Sequence, residues 1–486
     1  MQGPSRLELR SRDVGGHQPR TVAGVETPRG LDEVRALVRQ AMATGARLYP
    51  ISTGRNWGMG SAVPVSDDNL VVDLSGMNRV RSLDLEAGYA VIEPGVTQRQ
   101  LAALLRDTPW MLNVTASCAD TSVVGNGLDR GDGCIRSRVH DVAGLEAVLA
   151  DGSVVTTGGL DPAGRYHGRV AGPDLTPAFV QHNLGVITAM AVALVPRPQT
   201  VALVHGRLQR DQIGVALGAL TAFLRRGNPA EGLLRVRELS LVPTEGNDWG
   251  AIEGTGAGAG AVAGGGDWTL PAGVDPGLFT ILGPLMGSDA TVELAEELLR
   301  KALIEVEGAE AVRVVDASEV SPEDPLYPRA LMAQGIPTCR GVHNALGVTS
   351  CDQIDEGAMG FLALLPLMPM HARRTEHILA ALQTAVDRYG TALMMEWNLV
   401  GRHMANGVIQ IFFDRRAPGA PHRAHQLRND GNCLLRGNGC AIYRSDIDHA
   451  AADVWSETST AGLGMLHRLK TALDPDGLIS PGRYGA

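Results

Sequence analysis

The sequence has no excess of positive charge. Its 486 residues include 43 lysines and arginines against 53 aspartates and glutamates, and its formal net charge is −10. Nucleic acids and anionic membranes are bound through clustered cationic side chains. The charge balance therefore argues against a nucleic-acid partner and against a membrane surface held by bulk charge.

Cysteine is scarce and has no motif spacing. The six positions are Cys118, Cys134, Cys339, Cys351, Cys433 and Cys440. They form no C-x-x-C pair, and no histidine stands at a spacing typical of zinc. In a chain of this length, such cysteines are expected to be free thiols rather than a disulfide frame. No metal site is predicted.

Long hydrophobic runs are also missing. The longest, GFLALLPLMPM at 360–370, is too short to span a bilayer and contains two prolines. The first residues, MQGPSRLELRSRDVGG, lack the apolar region of a secretory signal. The sequence predicts a soluble, cytoplasmic protein.

Hydrophobic periodicity divides the chain near Pro198. Before it, short apolar strands alternate with amphipathic helices; after it, longer helices alternate with strands in a pattern typical of an antiparallel sheet covered on one side. The predicted fold class is α+β, with domains at 1–198 and 199–440 and a C-terminal segment at 441–486. A glycine-rich stretch at 254–266 is predicted to be a surface loop.

Two glycine-rich segments in the first half suggest a phosphate cradle. They are YPISTGRNWGMGSAVP at 49–64 and TSVVGNGLDRGDG at 121–133, and each is predicted to be a loop after an extended segment. Glycine exposes backbone N–H groups, which can bind two phosphates together with the hydroxyls of Ser52 and Thr53. The spacing differs from a Rossmann motif, and plain turns remain the alternative for each glycine.

Several longer motifs extend this pattern. They are PISTGRNWGMGSAVPVSDDNLVVDLSGMNRV, GYAVIEPGVT, SVVGNGLDRGDG, GLEAVLADGSVVTTGG, FVQHNLGVITAMAVALVP, IYRSD and ALDPDGLISPGRYG. In this order they resemble the vanillyl-alcohol oxidase and p-cresol methylhydroxylase family, in its 4-phenol-oxidising branch. The resemblance covers most of 20–198 and much of 360–486, and 200–350 is matched poorly.

The resemblance implies one FAD, a two-part FAD-binding domain and an α+β cap domain, with the C-terminal segment returning to the FAD site. The residues implied to bind FAD are Ile51, Ser52, Thr53, Gly54, Arg55, Asn56, Trp57, Gly95, Cys118, Thr121, Ser122, Gly125, Asn126, Gly127, Gly185, Val186, Ile187 and Arg483. The first loop would hold the pyrophosphate.

The resemblance also implies a substrate clamp. Tyr443 and Arg444 match a pair that holds a phenolate in members of this family, through a hydrogen bond from the tyrosine and the fixed charge of the arginine. The alternative is a surface pair at a strand end. The second tyrosine of the clamp is replaced by Met59, so a larger or differently anchored substrate stays open.

Two further positions are implied to lie near the reacting centre. Ser117 stands where the family's oxidases have an aspartate near flavin N5, and a serine cannot act as a carboxylate base. Glu396 matches an active-site glutamate, for which apolar shielding predicts a raised pKa and a role in proton transfer; a solvent-facing strand glutamate is the alternative. The family's nearby histidine is replaced, since Ala405 and Asn406 stand there; His403 is a candidate substitute.

Covalent attachment of the flavin is not expected. The usual histidine or tyrosine position before the cap strand at Phe361 holds Ser350 and Cys351, and Asn56 replaces the histidine of another branch. His343 lies too far along the chain to match without a gap. Cys118, beside Ser117, is the remaining candidate for a thioether, and a small packed thiol is the alternative.

The predicted activity is hydride transfer from a substrate C–H bond to flavin N5. The substrate is a small aromatic, phenolic or natural-product molecule, and O2 or another acceptor reoxidises the flavin. A natural-product enzyme that holds FAD while it steers a cyclisation or another net non-redox step is the alternative. The resemblance also implies a possible homodimer.

Overall fold

The computed structural model describes residues 13–60, 62–161, 163–168, 170–244, 270–271 and 273–485. The predicted surface loop at 254–266 lies outside the described residues. No helix within them combines the length and the apolar character that crossing a membrane requires.

A three-stranded parallel sheet opens the fold. Its strands are β1 (Val22–Glu26), β2 (Arg47–Ile51) and β3 (Asn69–Asp73), in the order β1-β3-β2. Helix α1 (Leu31–Thr44) buries Val34, Val38 and Ala41, which fall at helical spacing. The helix ends at Gly45, whose φ of 72° favours glycine. Strand β2 then runs directly into the first glycine-rich loop.

A second sheet of five antiparallel strands follows. The strands of this region are β4 (Val80–Asp84), β5 (Tyr89–Ile92), β6 (Trp110–Met111), β7 (Val142–Val148), β8 (Val154–Thr156), β9 (Val186–Ala193) and β10 (Val195–Pro196). The sheet order is β4-β5-β9-β7-β8, and β6 pairs with β10 separately. Helix α2 (Gln98–Leu104) begins with the capping box of Thr97 and Gln100.

The second glycine-rich segment differs from its prediction as a loop. Its residues Val123–Leu128 form a short helix, α3. Ser122 starts this helix, because its side-chain oxygen accepts a hydrogen bond from the Gly125 N–H at 2.9 Å. The cap outweighs the low helix propensity of the two glycines inside the segment.

The described residues of the second half form one eight-stranded antiparallel sheet. Its strands are β11 (Thr200–Gln209), β12 (Arg235–Leu241), β13 (Leu278–Gly287), β14 (Arg313–Asp316), β15 (Met359–Pro369), β16 (Leu393–Asn398), β17 (Met404–Asp414) and β18 (Ala441–Arg444). The order is β14-β11-β13-β12-β16-β17-β15-β18. We call this the cap sheet. Since β18 pairs with β15, the cap sheet continues past the predicted boundary at residue 440. The three domain ranges stay predictions.

Helices cover one face of this sheet. The helices of this half are α4 (Ile213–Arg225), α5 (Asp289–Ala302), α6 (Tyr327–Ala333), α7 (Arg340–Leu346), α8 (Ala372–Tyr389), α9 (Ala420–Gly437), α10 (Ala450–Glu457) and α11 (Thr460–Leu473). Apolar residues of α4, α5, α8 and α9 share one buried cluster with the strands. The pattern after Pro198 predicted this arrangement, but α9 was not predicted.

The strands alternate between this core and the opposite face. The residues of β16 that face the helices are Leu393, Met395 and Trp397. The residues between them line a cavity and are Met394, Glu396 and Asn398. Strands β15 and β17 show the same alternation. One face of the sheet is therefore free to carry functional side chains, because the other face supplies the core.

The C-terminal segment returns to the first sheet. Ile479 pairs with Leu48 of β2. The buried Lys470 ammonium holds the turn before it, by donating to the Ile479 carbonyl at 2.7 Å and to Asp474 at 2.6 Å. This link brings the last residues of the chain beside the first glycine-rich loop.

The alternation predicts that substitutions at neighbouring positions of β17 lower the free energy of unfolding by different amounts. Ile411 is buried in the helix-side core, whereas Gln410 faces the cavity. We expect Ile411→Ala to lower the free energy of unfolding by about 2–5 kcal/mol, because it leaves a cavity. Gln410→Ala should cost less than about 1 kcal/mol. Urea unfolding followed by circular dichroism measures both, and equal losses would contradict the two-faced sheet.

Candidate active site

A cavity of about 600 Å³ lies between the first two sheets and the uncovered face of the cap sheet. Its walls come from the 49–59 loop, from α3 and the residues around it, from strands β12, β15, β16 and β17, and from the C-terminal segment. This volume is in the range of cofactor and ligand sites. The two halves of the chain thus share one site.

The first glycine-rich loop presents free donors to this cavity. Among the described residues, no hydrogen-bond acceptor pairs with the backbone N–H groups of 53–57. Gly54 has a φ of 65°, which turns the chain after β2. A side chain at Gly58 would come within 2.4 Å of Phe361 on β15, so glycine there permits close contact with the cap. The unpaired N–H groups suit an anion.

Helix α3 forms the facing wall. A side chain at Gly125 would come within 2.4 Å of the Ser52 hydroxyl, so the two glycine-rich segments touch. The Ser122 N–H donates to the Thr53 hydroxyl at 3.2 Å. The buried Asn126 side-chain oxygen has no hydrogen-bond partner among the described residues. A polar atom buried in this way is costly unless a ligand satisfies it.

Arg483 places a positive charge in the cavity. It is only 9% exposed, and its Nη1 lacks a hydrogen-bond partner in the described part of the chain. Burial opposes the charge, but nearby Tyr484 and Asp129 outweigh it and raise the pKa, so the group stays cationic. A cation beside unpaired N–H groups fits the pyrophosphate of a dinucleotide such as FAD.

Most of the predicted cofactor residues meet in this cavity. Those that line it are Ile51, Ser52, Thr53, Gly54, Arg55, Asn56, Trp57, Thr121, Ser122, Gly125, Asn126, Gly185, Ile187 and Arg483. The predicted catalytic and substrate residues Ser117, Met59, Glu396, Tyr443 and Arg444 also line it. His403 is exposed and does not line the cavity.

Four predicted cofactor residues do not line the cavity, and their contact with FAD stays a prediction. The Gly95 N–H donates to the Met77 carbonyl at 2.7 Å, and a side chain there would meet that oxygen at 2.8 Å. Gly127 packs towards Val142, and Val186 is fully buried in another core. All three positions are closely packed.

Cys118 is the fourth. Its thiol is fully buried and contacts the Cys339 and Cys351 thiols, at 2.9 and 3.1 Å. It therefore points away from the cavity, although its neighbour Ser117 lines it. This geometry argues against the thioether to the flavin that the sequence left open.

Tyr443 and Arg444 lie side by side at the end of β18 but have different surroundings. Burial, and then the charge of Asp132, raise the pKa of Tyr443 well above its ordinary value, so the phenol stays a neutral hydrogen-bond donor. Arg444 donates from Nε to Asp129 at 2.7 Å and from Nη2 to Asn56. Its charge is thus balanced within the protein, which weakens its predicted role as the main partner of a phenolate.

Glu396 differs from its predicted state. Its carboxylate accepts a hydrogen bond from Arg237 Nε at 2.7 Å. Burial raises the pKa, but the attraction of the nearby arginines outweighs burial, and the pKa lies below its ordinary value. The prediction of a raised pKa is therefore wrong, because the residues around Glu396 are arginines rather than apolar side chains. Its catalytic role stays a prediction.

Three arginines that the sequence did not single out surround Glu396. Arg235 and Arg237 lie on β12, and Arg329 lies on α6. The two strand positions are two residues apart, and a β-bulge between Val236 and Leu239 alters the local geometry. The Arg-Val-Arg spacing in a strand was the available signal, since residues at i and i+2 share a face.

Arg329 has no carboxylate partner of its own in the described part of the chain. None of the ion pairs between described residues includes it, and its Nη1 lies 3.9 Å from the sulfur of Met332. Burial, and then repulsion from Arg237, lower the pKa of Arg329. An unpaired guanidinium in a cavity is stabilised by an anionic ligand.

Asp132 is a further side chain that the sequence analysis missed. It lines the cavity and accepts hydrogen bonds from Asn398 and Asn406, both at 2.9 Å. Burial raises its pKa, although these amides and the charge of Arg235 oppose the rise. A buried carboxyl group with a raised pKa beside Tyr443 is suited to accept a proton. Asn406, one of the two residues that stand where the resemblance implies a histidine, thus holds Asp132.

Comparison with known proteins identifies an FAD-binding domain in the first half of the chain. Residues 22–158 match the FAD binding domain family. The chain is 31% identical, over 95% of its length and 90% of the relative's, to a protein of Chondromyces crocatus named 1'-carboxy-chondrochloren decarboxylase. It is 25% identical, over 94% of its length and 86% of the relative's, to the flavoprotein subunit of 4-cresol dehydrogenase (hydroxylating) from Pseudomonas putida.

Solved structures show the same fold. The structure of p-cresol methylhydroxylase with substrate bound aligns with a TM-score of 0.77 at 24% identity, over 95% of this chain and 88% of that chain. The 4-ethylphenol oxidase of Gulosibacter chungangensis, in an isoeugenol complex, aligns with a TM-score of 0.79 at 21% identity, over 95% and 89%. The predicted fold class is confirmed.

Arg483 provides a test of the cradle. We expect Arg483→Ala to weaken FAD binding to the apoprotein by about 10- to 100-fold, because a charge-assisted hydrogen bond is lost. Arg483→Lys should recover part of the affinity, since it restores the charge without the planar fork. Quenching of flavin fluorescence measures the affinity. Arg468→Ala, at an exposed position of α11, is the matched control; unchanged binding in Arg483→Ala would contradict the assignment.

Proposed function

The chain belongs to the vanillyl-alcohol oxidase and p-cresol methylhydroxylase family of FAD-dependent oxidoreductases, and on this basis we propose that it oxidises an aromatic substrate that carries a carboxylate. The membership confirms the predicted FAD cofactor and the predicted oxidoreductase class. FAD, when bound, supplies the acceptor for the hydrogen and the electrons removed from the substrate.

The observation that carries the proposal is the unpaired Arg329. With Arg235 and Arg237 it brings three guanidinium groups to Glu396. Glu238 and Asp132 lie near Arg237 and Arg235 respectively, but neither forms an ion pair with Arg329 among the described residues. A substrate carboxylate would give Arg329 the partner that it lacks, and guanidinium binds carboxylates in a bidentate geometry.

Tyr443 and Asp132 are proposed to handle the ring hydroxyl. Tyr443 stays protonated and donates a hydrogen bond to the substrate oxygen, while Asp132 accepts the hydroxyl proton. Arg444 acts as a positioning residue that links β18 to Asn56 and Asp129 in the cradle. The cation for the substrate thus comes from Arg329 rather than from Arg444.

Apolar side chains form the remaining walls beside Tyr443. Met59 is 3% exposed and packs with Ala363, Leu365 and Tyr443. Phe361 and Phe412 line the cavity on the same sheet face. This surface excludes water and suits an aromatic ring, which is consistent with the loss of the second tyrosine at Met59.

A second candidate function is oxidation followed by decarboxylation, which the name of the Chondromyces relative favours. Removal of a hydride from the benzylic carbon of a 4-alkylphenol, with loss of the hydroxyl proton, leaves a quinone methide. If a carboxylate stands on the next carbon, its C–C bond can break. The electron pair then forms the new C=C bond and restores the aromatic phenolate, and CO2 leaves. Glu396 would remain as a counter-ion for the arginines.

Anaerobic mixing with matched substrates tests both functions. The panel pairs 4-alkylphenols that carry a side-chain carboxylate with the same molecules without it. We expect flavin bleaching with the carboxylated members, and CO2 in the headspace if decarboxylation follows. Equal bleaching by both sets would overturn carboxylate recognition. Product formed without bleaching would support the alternative of a net non-redox step, such as cyclisation.

Substitution of Arg329 tests whether this side chain binds the substrate carboxylate or only maintains the fold. We expect Arg329→Ala to raise KM for the carboxylated substrate by about 10- to 100-fold, because a charge-assisted hydrogen bond is lost. The analogue without the carboxylate should react as before. Arg329→Lys should recover part of the loss, and Arg226→Ala, at an exposed position, is the control. FAD content is measured in each variant, and equal losses on both substrates would refute the role.

Attachment of the flavin stays a prediction. The Cys118 thiol faces other cysteines, and Cys351 and His343 do not line the cavity. We therefore expect acid or heat denaturation to release FAD into the supernatant. Absorbance of the supernatant and of the washed precipitate measures the partition, and a yellow precipitate would show that a covalent bond exists.

A further inference from the structure

Three cysteines that are distant in sequence meet behind the cavity wall. The Cys118 sulfur lies 2.9 Å from that of Cys339 and 3.1 Å from that of Cys351. Asp120 completes the group, with a carboxylate oxygen 3.9 Å from the Cys339 sulfur. The four ligand atoms all lie within 4.8 Å of one another. We propose that these four residues form a structural zinc site.

The donor set fits zinc. Three thiolates and one carboxylate supply four ligands, the number that closed structural zinc sites use, and sulfur-rich sets favour zinc over hard cations. With Zn–S bonds of about 2.3 Å, tetrahedral thiolates stand about 3.8 Å apart. The sulfur separations of 2.9 and 3.1 Å are shorter than this by about 0.7 to 0.9 Å, so the thiol side chains must move apart by that amount to admit the ion. Each cysteine thiol releases its proton to solvent when its sulfur binds the zinc ion.

The surroundings stabilise the ligands in their charged state. The Asp120 N–H donates to the Cys118 sulfur at 3.3 Å. Arg99 donates to Asp120 at 2.8 Å and to the Cys339 sulfur at 3.6 Å. The His343 Nε2 lies 3.2 Å from the Cys351 sulfur. Hydrogen bonds of this kind orient metal ligands and offset the negative charge of a thiolate site.

A disulfide explains the cluster less well. One S–S bond would join two of the cysteines. It would not explain why the third thiol and Asp120, which pairs with Arg99, lie beside them. The Cys118 sulfur contacts both of the other sulfurs at similar distances, which does not favour either pair. A tetrahedral ion accounts for all four side chains together.

The ion would join the two halves of the protein. Cys118 and Asp120 belong to the N-terminal half, next to Ser117 in the cavity wall, and Cys339 immediately precedes α7 of the cap half. Five of the seven residues of α7 line the cavity. Zinc would therefore fix the distance between two walls of the active site.

Metal analysis of the full-length holoprotein tests the site. Protein purified without chelators should contain about one zinc per chain by plasma mass spectrometry. Cys339→Ser should weaken zinc binding by at least about 100-fold, because a ligand is removed. Cys433→Ser, at an exposed cysteine outside the cluster, should keep the zinc. FAD content and circular dichroism are recorded for each variant.

A second measurement uses the unaltered protein. Replacement of zinc by Co2+ should give the thiolate charge-transfer band and the intense visible bands of a tetrahedral site. After denaturation in chelator without reductant, all 6 cysteines should react as free thiols. Protein that takes up neither zinc nor Co2+, or that has a mass two hydrogens lower and four reactive thiols, overturns the proposal.

Discussion

The structure depends on a difference between the two faces of the cap sheet, one of which packs against helices while the other lines the cavity. One face packs under four helices and supplies the core, which leaves the other face free of that requirement. Arg237 and Glu396 can be buried there because they pair with each other at 2.7 Å rather than with solvent. The same face meets the first glycine-rich loop, where Gly58 allows Phe361 to approach. The predicted cofactor cradle and the apolar side chains of the cap sheet therefore close around one cavity.

The arginines named in this cavity fall into two groups, those that pair with a carboxylate of the protein and those that do not. Arg444 is balanced by Asp129, and Arg237 by Glu396, so neither is free for a ligand. Within the described residues, Arg483 Nη1 has no hydrogen-bond partner and Arg329 has no carboxylate partner, and both side chains line the cavity. The proposed ligands, a pyrophosphate and a carboxylate, are both anions. The net charge of the chain, which is negative, does not reveal this local pattern.

The sequence predicted the elements better than the contacts. Periodicity anticipated the strands of the FAD half and the helix-covered antiparallel sheet, since both are local patterns of burial. It missed α3 as a helix, because the Ser122 cap outweighs two glycines. It also assigned Glu396 a raised pKa, because the arginines beside it come from β12 and α6, about 65 to 160 positions earlier in the chain.

The sequence by itself determined the glycine-rich loop at 49–64 that is the predicted cofactor cradle, since its residues are contiguous and their chemistry is local. Only the tertiary structure decided which charges are balanced and which side chains meet. Asp132 contacts Asn406, which lies 274 positions away in the sequence. Cys118 contacts Cys339, which lies 221 positions away. No spacing rule covers such distances, because folding rather than periodicity brings those atoms together.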